Sequence, residues 1–489
     1  MSSLRGRRLS RRGLLATGAF ALFVSTSSSA LAGVPVTRIS RDPYTNTTSY
    51  HKTQVEPDSY SFGSTIVATF QTGRFSSGGS NDLGWATSQD DGATWTHGFL
   101  PGTTVYATPP GPWTRISDPA VAYDPQHDVW MIEGLVLDAS LSGAGVVVSR
   151  SLDGGLTWQD PVNVSTNLPQ YDKSWIGCDT STISQFYGNC YVEVDDPSAG
   201  NLLHMFRSTD GGLSWSASST PNSSVLGGQP LVQRDGTVVV PIASTEIDSF
   251  VSTNGGLSYT GPYSISSAQF HVPAGGVRNG FGLPSAEIDG AGTIYVGWAD
   301  CRFRSGCSAN DIVYSTSTDG KTWMAVKRIP AVPMSSAADL FIPGFGVDHS
   351  TSGASAHLGV AFYFYPNGSC TTDTCKLTVG FASSTDGGQT WGASVKVYGP
   401  MSLKGLPNTS LGYMVGDYIS TSFGSNGKDY PIFAGATGSS CTQGIVTSCH
   451  ESMFTTTNGL AVAGGSLPAV SGPVLYRGGA LSPAGRTAF

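Results

Sequence analysis

Short apolar runs recur along the whole chain, built from β-branched and aromatic residues and cut by Gly, Asp and Asn, while helix-type periodicity is scarce. Gly145-Val-Val-Val148, Leu202-Leu-His-Met-Phe206, Asp311-Ile-Val-Tyr314 and Leu377-Thr-Val-Gly-Phe381 are examples. Their length and residue types are those of strands, so the pattern predicts an all-β chain dense in turns. The runs also keep a fixed order of four. One unit reads 283–288, 293–298, 311–314 and 322–326, and another reads 119–123, 129–132, 145–148 and 157–158. Related units open with 173–176 and 191–194, contain 358–364, or contain 413–419 and 430–433.

The third run of each unit leads into one eight-residue sentence. Ser88-Gln-Asp90-Asp-Gly92-Ala-Thr94-Trp95 returns at Asp153 through Trp158, at Asp210 through Trp215 and at Asp386 through Trp391. A copy one residue shorter runs from Ser317 to Trp323, and eroded copies surround Asn254 and Asn458. Asp and Ser side chains bond the backbone of their own turn, and Gly supplies positive φ without a clash. The box aspartates are therefore read as turn builders and the closing Trp as an apolar anchor. Copies spaced from about 44 to about 72 residues mean a propeller or solenoid.

The sentence resembles the Asp-box, or BNR, repeat carried by sialidases and several other glycan-active propellers. The resemblance implies a single β-propeller of four-stranded blades over 33–460. Seven units are counted, with the six-bladed ring of sialidases as the alternative, and 461–489 form a tail that partly closes the propeller. It also implies a sialidase-like glycoside hydrolase, of exo-α-sialidase type, acting on an extracellular glycan. A non-catalytic propeller that binds carbohydrate or protein and a polysaccharide lyase stand as alternatives. The aromatic-Arg-Ile-Pro signature of sialidases is absent from 33–87, and the one Arg-Ile-Pro is Arg328-Ile329-Pro330.

The first 32 residues read as an address. Arg5, Arg7, Arg8, Arg11 and Arg12 precede an apolar run from Leu14 to Val24, and Ala30-Leu31-Ala32 offers a small-residue cleavage site. Ser10-Arg11-Arg12-Gly13-Leu14-Leu15 resembles a bacterial twin-arginine signal. The expectation is a secreted bacterial protein cut after Ala32. Removing those five arginines from a net charge of −8 leaves −13. So acidic a chain lacks the clustered Lys and Arg that nucleic acid requires. No later run is apolar and long enough to span a membrane. A soluble monomer is expected, with no metal or other cofactor.

Eight cysteines fall into four close couples, Cys178/Cys190, Cys301/Cys307, Cys370/Cys375 and Cys441/Cys449. In an exported chain, an even count at such short separations predicts four local disulfides.

If the box turn joins strands three and four, the connections between strands two and three, and from strand four to the next unit, share the opposite face. A ligand is expected there, at the mouth of the channel. Two connections on that face are near copies, Gly73-Arg74-Phe75 through Asn81-Asp82 and Cys301-Arg302-Phe303 through Asn310-Asp311. Arg74 and Arg302 are either cross-blade structural pairs or a fork of donors for an anionic or hydroxyl-rich ligand. Asp118, Asp172 with Lys173 and Trp175, Arg278, and Asp417 with Tyr418 sit where one unit hands over to the next. Carboxylates there are candidates for a general acid and base. The sialidase resemblance suggests Arg74, Arg278 and Arg302 as a triad, Asp82 as acid and Tyr418 as nucleophile. The bland readings are a turn opener at Asp118-Pro119 and a solvated ion pair at Asp172-Lys173.

Overall fold

The computed structural model describes residues 33–140, 143–166, 170–279 and 282–472; the expected leader and the last residues of the tail lie outside them. Strands pair antiparallel in successive groups of four, the blades. Their first strands are Gln54–Phe62, Arg115–Asp124, Asp172–Cys178, Leu231–Val232, Ser285–Ile288, Asp339–Val347 and Ser420–Phe423, which define blades 1 to 7 among the described residues. Each of these inner strands lies beside the next, and that of blade 7 returns beside that of blade 1. Blades 1 and 2 are linked in one sheet by a single bridge, Ser80 to Ile116. Among the described residues no helix is long and apolar enough to cross a membrane.

Second and third strands are buried on both faces, because each blade is packed between two others. Val129–Leu137 and Leu358–Tyr365 accordingly read as nearly continuous apolar runs and do not alternate. The fourth strand of blade 7 comes from the other end of the chain: Val36–Arg38 pairs with Glu451–Thr456. The segment after Ala461 runs outside, where Leu467–Pro468 pairs with Thr390–Trp391 and Val470–Ser471 extends blade 5 beyond Lys327–Arg328.

The box turns consume their own polar groups. Asp153 Oδ1 accepts from the Leu156 and Thr157 N–H groups at 3.0 and 2.9 Å, and its Oδ2 accepts from Thr157 Oγ1 at 2.6 Å. Ser151 Oγ donates to Asp153 at 2.8 Å and accepts from Gly155 N–H at 2.9 Å. The copies at Asp90, Asp210 and Asp386 make the same Thr or Ser contacts. Because the turn uses Thr157 and Trp158, the fourth strand starts later than 157, at Val162–Ser165, and in blade 5 at Lys327–Arg328, after 322–326.

All four expected disulfides are present, Cys178–Cys190, Cys301–Cys307, Cys370–Cys375 and Cys441–Cys449. Three lie in connections between second and third strands, opposite the boxes. Cys178–Cys190 joins the first two strands of blade 3 on the box face.

Candidate functional site

Inner strands start at the face opposite the boxes, and there four of them break register. The shifts fall between Val55 and Asp58, Ser117 and Ala120, Asp172 and Ser174, and Phe341 and Pro343. The residues caught in these bulges, Glu56, Asp118, Lys173 and Ile342, have φ of 54°, 46°, 44° and 51°. A non-glycine residue in the left-handed region costs about 1–3 kcal/mol and persists only where its surroundings enforce it. A bulge also re-aims a side chain. In blades 1, 2 and 3 the re-aimed side chain is charged, and all three meet on the axis.

Lys173 Nζ is the hub. It lies 3.0 Å from Asp118 Oδ1, 3.1 Å from Asp417 Oδ2 and 3.6 Å from Glu56 Oε1. Arg278 grips Asp417 from the other side, its Nε donating to Oδ1 at 2.8 Å and its Nη2 to Oδ2. Asp417 reaches the axis from the segment leading into blade 7, which the sequence placed in a strand from 413 to 419. That strand starts later, at Ser420, because Gly416 turns there with φ of 139°. A Cβ on Gly416 would stand 2.8 Å from the Glu56 backbone nitrogen, so only glycine lets the two segments touch.

The charges split. Burial raises Asp417, but the Arg278 guanidinium and the Lys173 ammonium outweigh it and hold the carboxyl well below its usual range. Glu56 goes the other way, raised by burial despite Lys173, with Asp118 and Asp417 adding to the shift. Asp172 is pushed up to about 7 by burial and by Asp118. Lys173 resists desolvation because its three carboxylates hold it well above the usual ammonium range.

Asp118, Asp172, Lys173, Arg278, Asp417 and Tyr418 are thus brought together. Arg74 borders them, yet its guanidinium donates to Gln71 Oε1 and the Gly79 carbonyl, both at 3.0 Å, and among the described residues it makes no ion pair. Tyr418 is buried and donates to the Pro119 carbonyl at 3.3 Å. Burial, with Glu56 and Asp118 beside it, keeps its phenol far above the usual range and protonated.

Asp82 and Arg302 are not brought in. Asp82 is buried inside blade 1, where it accepts from Tyr44 at 3.0 Å and Thr103 at 2.8 Å. The triad of Arg74, Arg278 and Arg302 does not assemble, because Arg302 Nη2 is held on Asp300 at 2.7 Å. Among the differences between the near-copy loops, one bears on the arginine: Asp300 stands opposite Asp311 where Thr72 stands opposite Asp82. The carboxylate captures Arg302, whereas threonine leaves Arg74 free to reach inward. Arg328 of the Arg-Ile-Pro sequence pairs with Asp311 at 2.8 Å.

Glu56 went unnoticed in the sequence, although Glu56-Pro57 repeats the Asp118-Pro119 pattern in the same strand position and Ile342-Pro343 repeats it again. The second surprise is space. The cavity against Arg74, Asp118 and Lys173 measures only about 20 Å³, room for one water.

A second cavity on the axis, about 380 Å³, occupies the other half of the channel, towards the box face. All seven inner strands contribute to its wall, and residues 180–183 of the loop closed by Cys178–Cys190 form part of its rim. Trp175 belongs here. Its ring packs edge-to-face on Tyr418 at 5.0 Å, and the Lys173 ammonium lies 5.2 Å from the Tyr418 ring centre. Tyr418 therefore touches both the cluster and the wall of the open half. Asp58 Oδ2 accepts from the Val121 N–H at 2.8 Å, and burial, reinforced by Glu287, pushes its carboxyl up to about 8. His349 Nε2 lies 3.6 Å from Glu287 Oε2.

No protein-family model matches the chain, and no curated protein matches it in sequence. Solved structures similar to it include a protein of unknown function from Dyadobacter fermentans, at 17% identity over 69% of this chain and 95% of that one, with a TM-score of 0.44. The NanB sialidase of Streptococcus pneumoniae is 12% identical over 86% of this chain and 70% of its own, with a TM-score of 0.44. The phage phi92 endosialidase is 12% identical over 91% and 71%, with a TM-score of 0.49.

Proposed function

We propose that the protein is an exported, monomeric, seven-bladed propeller that hydrolyses a glycosidic bond in an extracellular glycan, with its reacting groups in the axial cluster. The observation that carries this reading is the convergence of Glu56, Asp118 and Lys173 from three strained bulges onto Asp417. Stability alone is a poor reason for it, since replacing buried ion pairs by apolar packing is often neutral or stabilising. Ile342 makes the same bulge with an apolar side chain, so the bulge belongs to the fold and the charges are an addition. The cluster contains carboxyls driven in opposite directions, the pattern that assigns an acid and a base. Glu56 or Asp172, raised, suits the acid, and Asp417, held ionised, suits the base or the stabiliser of positive charge on the sugar. Arg74 and Arg278 suit substrate binding.

The binding-only reading is favoured by one observation, the small volume left beside the cluster. A broad glycan panel on the purified protein separates the two, with reducing ends and unsaturated uronates followed separately. New reducing ends that vanish in Asp417→Asn, with substrate affinity within a few-fold, are expected. Unsaturated products would mean a lyase, and binding without any product would leave a non-catalytic propeller.

A further inference from the structure

The open half of the channel has no part in that chemistry, yet it has the features of a built site. Its volume of about 380 Å³ falls among small-ligand pockets. We propose that it binds a neutral, hydroxyl-rich saccharide unit, independently of any reaction at the ionic cluster.

Several hydrogen-bonding groups of the wall are only partly engaged. Gln229 uses its carbonyl to accept the Ala286 N–H at 2.6 Å, which orients its amide and leaves the N–H donors towards the cavity. Ser285 Oγ accepts from the Phe345 N–H at 2.9 Å, and its own hydrogen remains to be donated. Glu287, partly exposed, offers a carboxylate that His349 approaches only to 3.6 Å, beyond hydrogen-bond length. Trp175, fixed by Tyr418, adds an apolar face. The wall thus sets neutral donors beside one carboxylate acceptor, with the aromatic rings of Tyr60, Trp175 and Phe345 among them. A sugar matches this, since each hydroxyl both donates and accepts and its ring presents C–H faces.

Charge excludes the nearest rivals. Among the described residues of the lining, the only Arg or Lys is Arg234, which is exposed at the rim. An anionic sugar would meet the Glu287 carboxylate without a buried cation to hold it. An apolar ligand would strand the Gln229 amide and the Ser285 hydroxyl, the costly outcome for buried polar groups. The two ends of the channel therefore differ: cations and carboxylates pair in the cluster, whereas the open end offers uncharged donors beside Glu287.

The test is calorimetric titration of the full chain with lactose, maltose and cellobiose as neutral probes, and N-acetylneuraminate and glucuronate as anionic ones. At least one neutral probe should saturate a single site, with the anionic probes at least about tenfold weaker. Glu287→Gln should weaken the neutral probe about ten- to a hundredfold, the range for a charged hydrogen bond, with an unchanged thermal midpoint. Soaking the same probe into crystals of the unmodified chain reads the location directly, and sugar density beside Trp175 is expected. The proposal is overturned if no neutral probe saturates, if anionic probes bind as well, if Glu287→Gln leaves affinity unaltered, or if the density lies elsewhere.

Discussion

The two ends of the channel are built from the same seven strands and solve opposite problems. Where the strands begin, bulges turn charged side chains inward until they neutralise one another, and space for about one water remains. Where they end, the inner strands carry no such bulge and their side chains leave a cavity of about 380 Å³. The difference lies in local backbone geometry more than in composition. A register shift of one residue changes which side chain points at the axis. A propeller can therefore be filled at one end and open at the other without altering its blades.

The charged end depends most on its hub. Lys173→Met leaves Glu56, Asp118 and Asp417 together without their shared cation, and breaking a buried ionic arrangement costs about 3–5 kcal/mol. Urea unfolding should record a loss of that size, with glycan turnover abolished and neutral-sugar binding at the open end retained in the folded fraction. A loss below about 1 kcal/mol would mean that the cluster is solvated and the contrast between the ends illusory.

Trp391→Ala probes the scaffold that both ends share. Trp391 is wholly buried, its indole N–H donating to the Gly388 carbonyl at 3.2 Å, and removing a buried aromatic costs about 3–5 kcal/mol. Both activities should fall together with the folded fraction and not beyond it. Selective loss of one would assign the box a part in ligand chemistry.

The mildest effect is a pH slope, and its sign differs between the ends. Asp58 is an ordinary carboxyl when unfolded and titrates at about 8 when folded. Its stabilisation is complete below the usual carboxylate range and disappears as pH rises through about 8. Asp417 is held low, so its stabilisation is present above the usual range and is lost as acid protonates the folded cluster. Asp58→Asn should flatten the decline in stability towards alkaline pH, and Asp417→Asn should flatten the decline towards acid. Thermal midpoints measured across pH would show equal slopes for both variants if the two ends were electrostatically alike.

Much of the fold was legible because the box is a local device. Asp153, Ser151 and Thr157 interact within a few residues, so spacing along the chain carries the geometry. The disulfides were legible for the same reason. The cluster was half legible: Asp118, Lys173, Arg278 and Asp417 stand out as charges among less polar runs, but Glu56 hides in a strand that mixes Gln, Glu, Asp and Ser with its apolar residues. Arg302 was misplaced because its loop resembles that of Arg74 but places Asp300 where the other has Thr72, and that carboxylate holds the guanidinium. Of the open end, only Trp175 stood out in the sequence. Asp58, Gln229, Glu287 and His349 belong to four blades and share no motif, so only the closed ring brings them to one cavity.

Val36–Arg38 gives the ring a buckle. The belt is fastened where this short strand lies along Glu451–Thr456, some 420 positions away in the chain, as Thr37 Oγ1 does on Thr457 at 3.0 Å. Blades made of neighbouring strands can form in sequence, but the last one is incomplete until the two ends find each other, and such distant pairings are the slow step of β-rich folding. The entropy of closing so long a loop grows only logarithmically, so the fastening is late rather than weak. Unfastening it would free blade 7, and with it Asp417 and the wall formed by Ser420, before any other blade had to loosen. A three-residue strand on the rim thus governs how long both ends of the channel exist.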